Sequence, residues 1–228
     1  MGDPLAGSSW SRCETVAGFA AAAPNSALVH FAERELDRVG AGRALDIGCG
    51  AGRNAIPLAL QGWNIVGLDL SLPMIHAAFE RAARARVDTR ARFALASMDS
   101  LPVQDRSCNL IVAHGIWNLA LSAETFRRAV REAARVAKTG ASLFVFTFSR
   151  HTLPPDATPI AGEPFVFADY SGTPRCFLTE HQLVSELKSA GFTLDPAIGL
   201  RELNRPAAGA LPTIGSPVIY EGTFRYQT

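Results

Sequence analysis

The stretch that decides the fold is Ala44-Leu-Asp-Ile-Gly-Cys-Gly-Ala-Gly-Arg-Asn54, in which an apolar run ends in three alternating glycines and a helical pattern begins. Glycine lets the backbone approach a ligand closely because it has no Cβ, and the start of a helix presents free N–H donors. Three glycines at this spacing exceed what an ordinary strand-to-helix turn requires. The stretch therefore predicts a nucleotide-binding loop at the end of a strand.

On both sides of this stretch, short apolar runs alternate with helical patterns. Strands are predicted at 44–47, 64–68, 92–96, 109–113 and 141–148, with closing strands at 192–200 and 217–226. Helices are predicted at 26–39, 54–61, 71–85, 124–137 and 179–190. This alternation is typical of an α/β, Rossmann-like doubly wound fold with a mainly parallel seven-stranded sheet and an antiparallel closing strand.

Two segments fall outside this alternation. Residues 1–42 are interpreted as an N-terminal arm and helix that form a lid, and residues 149–177 as a proline-rich, lid-like insertion in a ligand-binding domain of residues 43–228. Both segments carry bulky apolar residues without regular periodicity, including Trp10, Phe19 and Phe165. Such residues must bury against something, so they either roof a ligand or only cover the rim of the core.

Composition limits the class of partner. The net charge is +1 and 48% of residues are hydrophobic, which is typical of a globular protein and argues against nucleic acid as the partner. The four cysteines form no C-x-x-C pair, so we expect neither a metal site nor a disulfide framework. We also expect no membrane-spanning segment, a cytoplasmic location, and a monomer or homodimer.

The glycine spacing and Asp46 distinguish the possible nucleotide ligands. A nicotinamide-dependent oxidoreductase carries G-x-G-x-x-G, but the third glycine of that pattern would fall on Arg53. Asp46 beside the turn would repel a pyrophosphate and would favour an ammonium group. Asp69, at the end of the second strand, fits the ribose hydroxyls of either ligand. The pattern favours a cofactor that is zwitterionic at this end.

The stretch resembles motif I of the class I S-adenosylmethionine-dependent methyltransferases, and the resemblance extends over about positions 43 to 200. It implies S-adenosylmethionine as cofactor, with the methionine part at the glycine loop, the ribose at Asp69 and the adenine amino group at Asp99. The segment 52–54 is similar to the variant in tellurite-resistance-type and thiopurine-type methyltransferases, where the arginine lies near the methionine carboxylate. The cofactor-binding residues implied are Asp46, Gly48, Cys49, Gly50, Arg53, Asp69, Leu70, Met98, Asp99 and His114.

The resemblance further implies methyl transfer to a small-molecule acceptor by direct displacement. His114, at the end of the fourth strand, is the candidate general base, although a histidine there could equally satisfy a neighbouring backbone group. The acceptor is expected to be partly hydrophobic. The substrate-binding residues predicted from their places near the sheet edge are Trp117, Asn118, His151, Phe167 and Tyr170. A nicotinamide-dependent oxidoreductase and a non-catalytic S-adenosylmethionine-binding module remain as alternatives.

Overall fold

A computed structural model describes residues 2–169, 171–196, 198–206 and 217–227. Within these ranges a central sheet of eight strands forms. Its strands are β1 (Arg43–Ile47), β2 (Asn64–Asp69), β3 (Ala91–Leu95), β4 (Cys108–His114), β5 (Ala137–Phe148), β8 (Phe192–Leu194), β9 (Leu200–Leu203) and β10 (Ile219–Tyr226). A separate hairpin consists of β6 (Val166–Ala168) and β7 (Pro174–Cys176).

Helices cover both faces of the sheet. They are α1 (Cys13–Ala21), α2 (Ser26–Val39), α3 (Ala55–Gln61), α4 (Leu72–Arg84), α5 (Ala123–Val136) and α6 (Glu180–Ser189). Side chains of α2, α3 and α4 bury against one face, and those of α5 and α6 bury against the other. Burial on both faces explains why the strands are apolar runs rather than alternating patterns.

The strand order is β3-β2-β1-β4-β5-β10-β8, with β9 also paired to β10. The strands from β3 to β5 pair in parallel, and β10 is antiparallel to β5, β8 and β9. The predicted Rossmann-like, mainly parallel fold with an antiparallel closing strand is therefore confirmed. The short β8 and β9 pair in succession with β10, so together they occupy the seventh position of the sheet.

Three local predictions were wrong. The predicted strand at 192–200 is divided into β8 and β9 because Gly199 N–H turns back to donate to the Asp195 carbonyl at 2.8 Å. The arm is not irregular, since α1 forms there; its small residues conceal the helical period, and none of them is buried. The connection at 149–177 also contains regular structure, namely the β6–β7 hairpin.

An ion-pair network fixes α2 on the sheet. Arg225 on β10 donates to both carboxylate oxygens of Glu35 on α2, at 2.8 and 3.0 Å, and Ser142 on β5 donates to the same carboxylate. Although burial opposes ionisation, hydrogen bonds from Arg225, Arg38 and Ser142 lower the pKa of Glu35 to about 2. The second half of α2 is thereby tied to β5 and β10.

The strand ends place the candidate residues at one edge. Because β1, β2, β3 and β4 are parallel, their carboxyl ends meet at the same side of the sheet. The glycine loop follows β1, Asp69 ends β2, Asp99 follows β3, and His114 ends β4. In the part of the chain that the structure describes, no helix has the length and apolarity needed to cross a membrane.

Candidate functional site

The glycine loop leaves the sheet in a conformation that only glycine adopts without strain. Gly48 and Gly50 have φ of +71° and +52°. The N–H groups of Gly48 and Cys49 both donate to the Leu68 carbonyl on β2, at 2.7 and 2.9 Å. A Cβ at Gly48 would also lie 2.8 Å from the side chain of Ile116. The loop is therefore narrow and has little room for a side chain beside Ile116.

Asp46 is a buried carboxylate with incomplete hydrogen bonding. Its side chain is 3% exposed, the Ala55 N–H donates to it, and its Oδ2 has no hydrogen-bond partner among the described residues. Burial raises the pKa of Asp46 to about 7; Arg53 partly opposes this rise and Asp69 adds to it. An ionised buried carboxylate needs a partner, so the site is suited to a cation.

Asp69 connects the glycine loop to the start of α4. Its Oδ2 accepts from Gly50 N–H and its Oδ1 from Ser71 N–H, both at 2.9 Å. Burial raises the pKa of Asp69, while these backbone hydrogen bonds act in the opposite direction. Each oxygen retains a lone pair that can accept from a ligand hydroxyl. The half-buried Leu70 follows directly.

Asp99 differs from Asp46 because it already has partners. Ser97 Oγ donates to Asp99 Oδ1, and Arg128 Nη2 donates to Oδ2 at 2.5 Å. These groups lower the pKa of Asp99, with the hydrogen bond from Ser97 as the largest cause. Met98, one residue earlier, packs against the hydrophobic core on the α5 side of the sheet.

His114 lies between two hydrogen-bond donors. Arg53 Nη2 is 3.2 Å from its Nδ1, and Asn25 Nδ2 is 3.2 Å from its Nε2. The Asn25 amide has a fixed orientation because its Oδ1 accepts from Leu28 N–H and its Nδ2 donates to Glu221. A neutral imidazole accepts a hydrogen bond at one nitrogen only and carries a proton on the other. At one of the two contacts, therefore, two N–H donors face each other. Burial, and secondarily Arg53, lowers the pKa of His114 to about 4.

A row of side chains leads from His114 across the sheet. His114 is in register with Phe146 on β5, which pairs with Glu221 on β10, which in turn pairs with Arg201 on β9. Residues in register share a face of a sheet. The His114 and Phe146 rings stack with centroids 4.1 Å apart, and Asn25 Nδ2 donates to Glu221 Oε2 at 2.8 Å.

Sequence reasoning missed Asn25, Glu221 and Arg201. Asn25 caps α2, and an asparagine directly before a predicted helix is a recognisable signal. Glu221 and Arg225 are charged residues in a predicted closing strand, and a charge in a buried strand is also visible in the sequence. Arg201 has no such signal, because only the strand register brings it to Glu221.

The N-terminal arm covers the glycine loop and the end of β2. Ser71 Oγ donates to the Trp10 carbonyl at 3.1 Å, and Asp3 accepts from Leu72 N–H at 3.0 Å. The Phe19 ring would lie 3.6 Å from a Cβ at Gly50. The predicted placement of the arm near the ligand loop is consistent with these contacts.

Two predicted substrate residues lie directly after β4. Trp117 is fully buried and its ring lies 5.9 Å from that of Phe126, in an edge-to-face arrangement. Asn118 is also buried. Within the described ranges, Trp117 Nε1 and Asn118 Oδ1 have no hydrogen-bond partner. Trp117 therefore contributes to the core while keeping one unsatisfied donor.

The structure does not bring His151 or Phe167 to His114. His151 pairs with Glu202 at 2.6 Å, and Glu202 lies on the opposite face of β9 from Arg201. Phe167 is 5% exposed because it packs against Phe177 and beneath the Arg150 guanidinium. Tyr170 lies outside the described residues.

Comparison with known proteins agrees with this arrangement. A family model described as a methyltransferase domain matches residues 44–140. A ubiquinone/menaquinone biosynthesis C-methyltransferase UbiE from Syntrophotalea carbinolica is 38% identical over 126 residues, which are 54% of this chain and 51% of that protein. A demethylmenaquinone methyltransferase from Lactiplantibacillus plantarum is 30% identical over 167 residues, which are 65% of this chain and 69% of that protein. The chain belongs to the S-adenosylmethionine-dependent methyltransferase family.

A solved structure extends the similarity in fold to most of this methyltransferase. The crystal structure of an S-adenosylmethionine-dependent methyltransferase from Methanosarcina mazei matches with a TM-score of 0.66 and 24% identity, over 82% of this chain and 93% of that one. The chain spans about half the length of the first curated relative. The resemblance predicted from the glycine loop is confirmed.

The burial of Asp46 predicts how the free energy of unfolding depends on pH. Because the pKa of Asp46 is raised to about 7 in the folded chain, folding binds a proton that the unfolded chain releases near pH 4. The free energy of unfolding should therefore fall as pH rises through this window. Relative to Asp46→Asn, the ligand-free protein should lose about 2 kcal/mol between pH 5 and 8, measured by chemical denaturation.

The exposed Asp88 provides a matched control for this measurement. Asp88→Asn should differ from the unchanged protein by the same free energy at both pH values, since folding leaves the Asp88 side chain exposed to water. If Asp46→Asn and the unchanged protein have parallel pH profiles, Asp46 is not a buried, proton-binding carboxylate.

Proposed function

We propose that this protein transfers a methyl group from S-adenosylmethionine to a small-molecule acceptor by direct displacement. The observation that carries the proposal is the buried Asp46 Oδ2 beside the glycine loop of a methyltransferase-family chain, an oxygen for which the described residues provide no hydrogen-bond partner. A cofactor ammonium group there would complete the hydrogen bonding of this carboxylate. The same oxygen would disfavour a pyrophosphate, which argues against the oxidoreductase alternative.

The residues at the sheet edge fit the cofactor part by part. Asp46 would hold the ammonium group, Arg53 the carboxylate, and Asp69 the ribose hydroxyls, with Gly48 and Gly50 allowing close backbone approach. When bound, the cofactor supplies a methyl group that its sulfonium already activates. The chain therefore contributes mainly orientation and the exclusion of water.

His114 would act as general base where the acceptor arrives protonated. In the free chain its depressed pKa keeps the imidazole neutral at physiological pH but also makes it a weak base, so loss of a facing cation would strengthen it. One of the ring nitrogens faces Arg53. Engagement of Arg53 by the cofactor carboxylate would remove that donor from His114, which couples cofactor binding to the availability of the base.

We also propose that the N-terminal arm, rather than the connection at 149–177, forms the lid. The arm contacts Ser71 and covers the glycine loop. In the connection, Phe165 and Phe167 are almost fully buried in apolar clusters, which supports a role in covering the rim of the core. A cytoplasmic location and a monomeric or homodimeric state complete the proposal.

Cofactor binding tests the proposal directly. S-adenosylhomocysteine should bind the purified chain in calorimetry and raise its melting temperature, whereas NADH should do neither. Asp69→Asn should weaken this binding about tenfold, because ligand hydroxyls lose a charged acceptor. Asp88→Asn, exposed and distant in sequence from the loop, should bind as the unchanged chain does.

Catalysis is tested separately by transfer of a tritium-labelled methyl group into extract of the source organism. A labelled small molecule should appear only with the folded enzyme. Cofactor binding without any labelled product would favour the non-catalytic module, and absence of S-adenosylhomocysteine binding would reject the proposal.

The role of His114 predicts a larger effect on rate than on cofactor affinity. His114→Ala should lower kcat by about a hundredfold, the usual contribution of a positioned general base, and weaken S-adenosylhomocysteine binding far less than that. The defect should shrink as pH rises, because the acceptor then loses its proton unaided. His181→Ala on the exposed face of α6 is the control and should keep the full rate. An equal rate for His114→Ala at every pH would make His114 structural.

A further inference from the structure

A cavity of about 850 Å³ lies between α2 and strands β9 and β10, on the same face of the sheet as His114. This volume is within the range that small-molecule sites occupy. Its wall combines apolar and charged side chains, among them Phe144, Leu203, Asn25, Arg34, Arg201 and Glu221. None of these residues was assigned to cofactor binding.

The cavity lies next to the candidate base. Asn25 lines the cavity, and its Nδ2 is also 3.2 Å from His114 Nε2. Glu221 lines it too and belongs to the row that begins at His114. One side chain therefore separates the cavity from the edge where the methyl group would be transferred.

The charge in the cavity is unbalanced. Glu221 is 5% exposed, and its two oxygens accept from Arg201 and Asn25 at 3.0 and 2.8 Å. Arg201 donates to Glu221 through one nitrogen only, and its side chain is 55% exposed. Arg34 has no hydrogen bond or ion pair with any described residue and is exposed. The cavity thus presents two guanidinium groups and a single carboxylate that is already engaged.

The positions of these groups set the length of a ligand. Arg34 follows Asn25 by nine residues along α2, which corresponds to about 13 Å of helix. A molecule with one end at His114 and an anionic group at Arg34 would need a comparable length. The ring of Phe144, which pairs with Thr223 between Glu221 and Arg225, would contact its middle portion.

We propose that this cavity binds the methyl acceptor and that the acceptor is a partly apolar small molecule carrying a carboxylate or phosphate group. Arg34 binds that group, because guanidinium matches both anions in charge and geometry. Arg201 lies in register with His114 and stays on Glu221, so it balances the charge of that carboxylate at the other end of the cavity. The reactive end of the acceptor points towards Asn25 and His114. The inference rests on the proposed function and adds the class of acceptor to it.

Binding of paired probes tests the class. The protein is saturated with S-adenosylhomocysteine, and ligand-observed NMR titrations then compare aromatic carboxylic acids with their methyl esters, and aryl phosphates with the parent phenols. Neutral menadione is included because the curated relatives are named for quinone pathways. The acids or the phosphates should bind at millimolar concentration, at least tenfold more tightly than their neutral counterparts. Whichever of the two binds more tightly identifies the anion.

Arg34→Gln removes the positive charge without disturbing the fold. This exposed helical position should tolerate glutamine, and the variant should bind the anionic probes about tenfold more weakly, as loss of one charge-assisted contact predicts. Its affinity for S-adenosylhomocysteine should not change. Arg92→Gln, at an exposed position of β3 at the far end of the sheet, is the control and should retain probe binding.

The outcomes distinguish this inference from the proposed function. Equal binding of neutral probes, no binding of any anion, or unchanged binding by Arg34→Gln would overturn the inference while S-adenosylhomocysteine still binds. Failure of the unchanged protein to bind S-adenosylhomocysteine would instead reject the proposed function. As a second measurement, the labelled product from extract should be retained on an anion-exchange resin at neutral pH, and a neutral or cationic product would overturn the proposal.

Discussion

The site depends on one buried carboxylate whose hydrogen bonding the described part of the chain leaves incomplete. Asp46 is fixed in the middle of the sheet by its pairing on both sides, so its side chain cannot turn to solvent. Burial without a full set of partners raises its pKa to about 7. A buried carboxylate without partners lowers the free energy of unfolding of the free protein, and a bound cation restores it. Such a group is typical of a binding site rather than of a hydrophobic core.

Helix α2 connects the cofactor loop beside Asp46 with the cavity proposed for the methyl acceptor. The Arg225–Glu35 ion pair holds α2 on β10, and Asn25 at the start of α2 then contacts both His114 and Glu221. Asn25 N–H also donates to Asn54 Oδ1 after the glycine loop, at 3.0 Å. A single helix start therefore connects the cofactor loop, the candidate base and the cavity. A shift of α2 would change all three together.

Sequence reasoning succeeded where local pattern determines structure. The glycine loop and its neighbours Asp46 and Asp69 follow from short-range motifs, as do the buried parallel strands. It failed at α1, whose small residues leave no clear apolar face, and between β8 and β9, where Asp195-Pro196 and Gly199 are local turn signals that the prediction of one strand overlooked. Arg201 and Glu221 meet only through strand register, which no local pattern encodes.

The ionisation of Asp46 tests the central claim most directly. Carbon NMR of protein labelled at its aspartate carboxylates, with Asp46→Asn for assignment, can follow this group through a pH titration. In the free chain it should titrate near the value of about 7 set by burial. With S-adenosylhomocysteine bound, its pKa should fall by at least about two units, because an adjacent ammonium group favours the charged form. An ordinary aspartate pKa in the free chain, or the same pKa with and without ligand, would contradict the account.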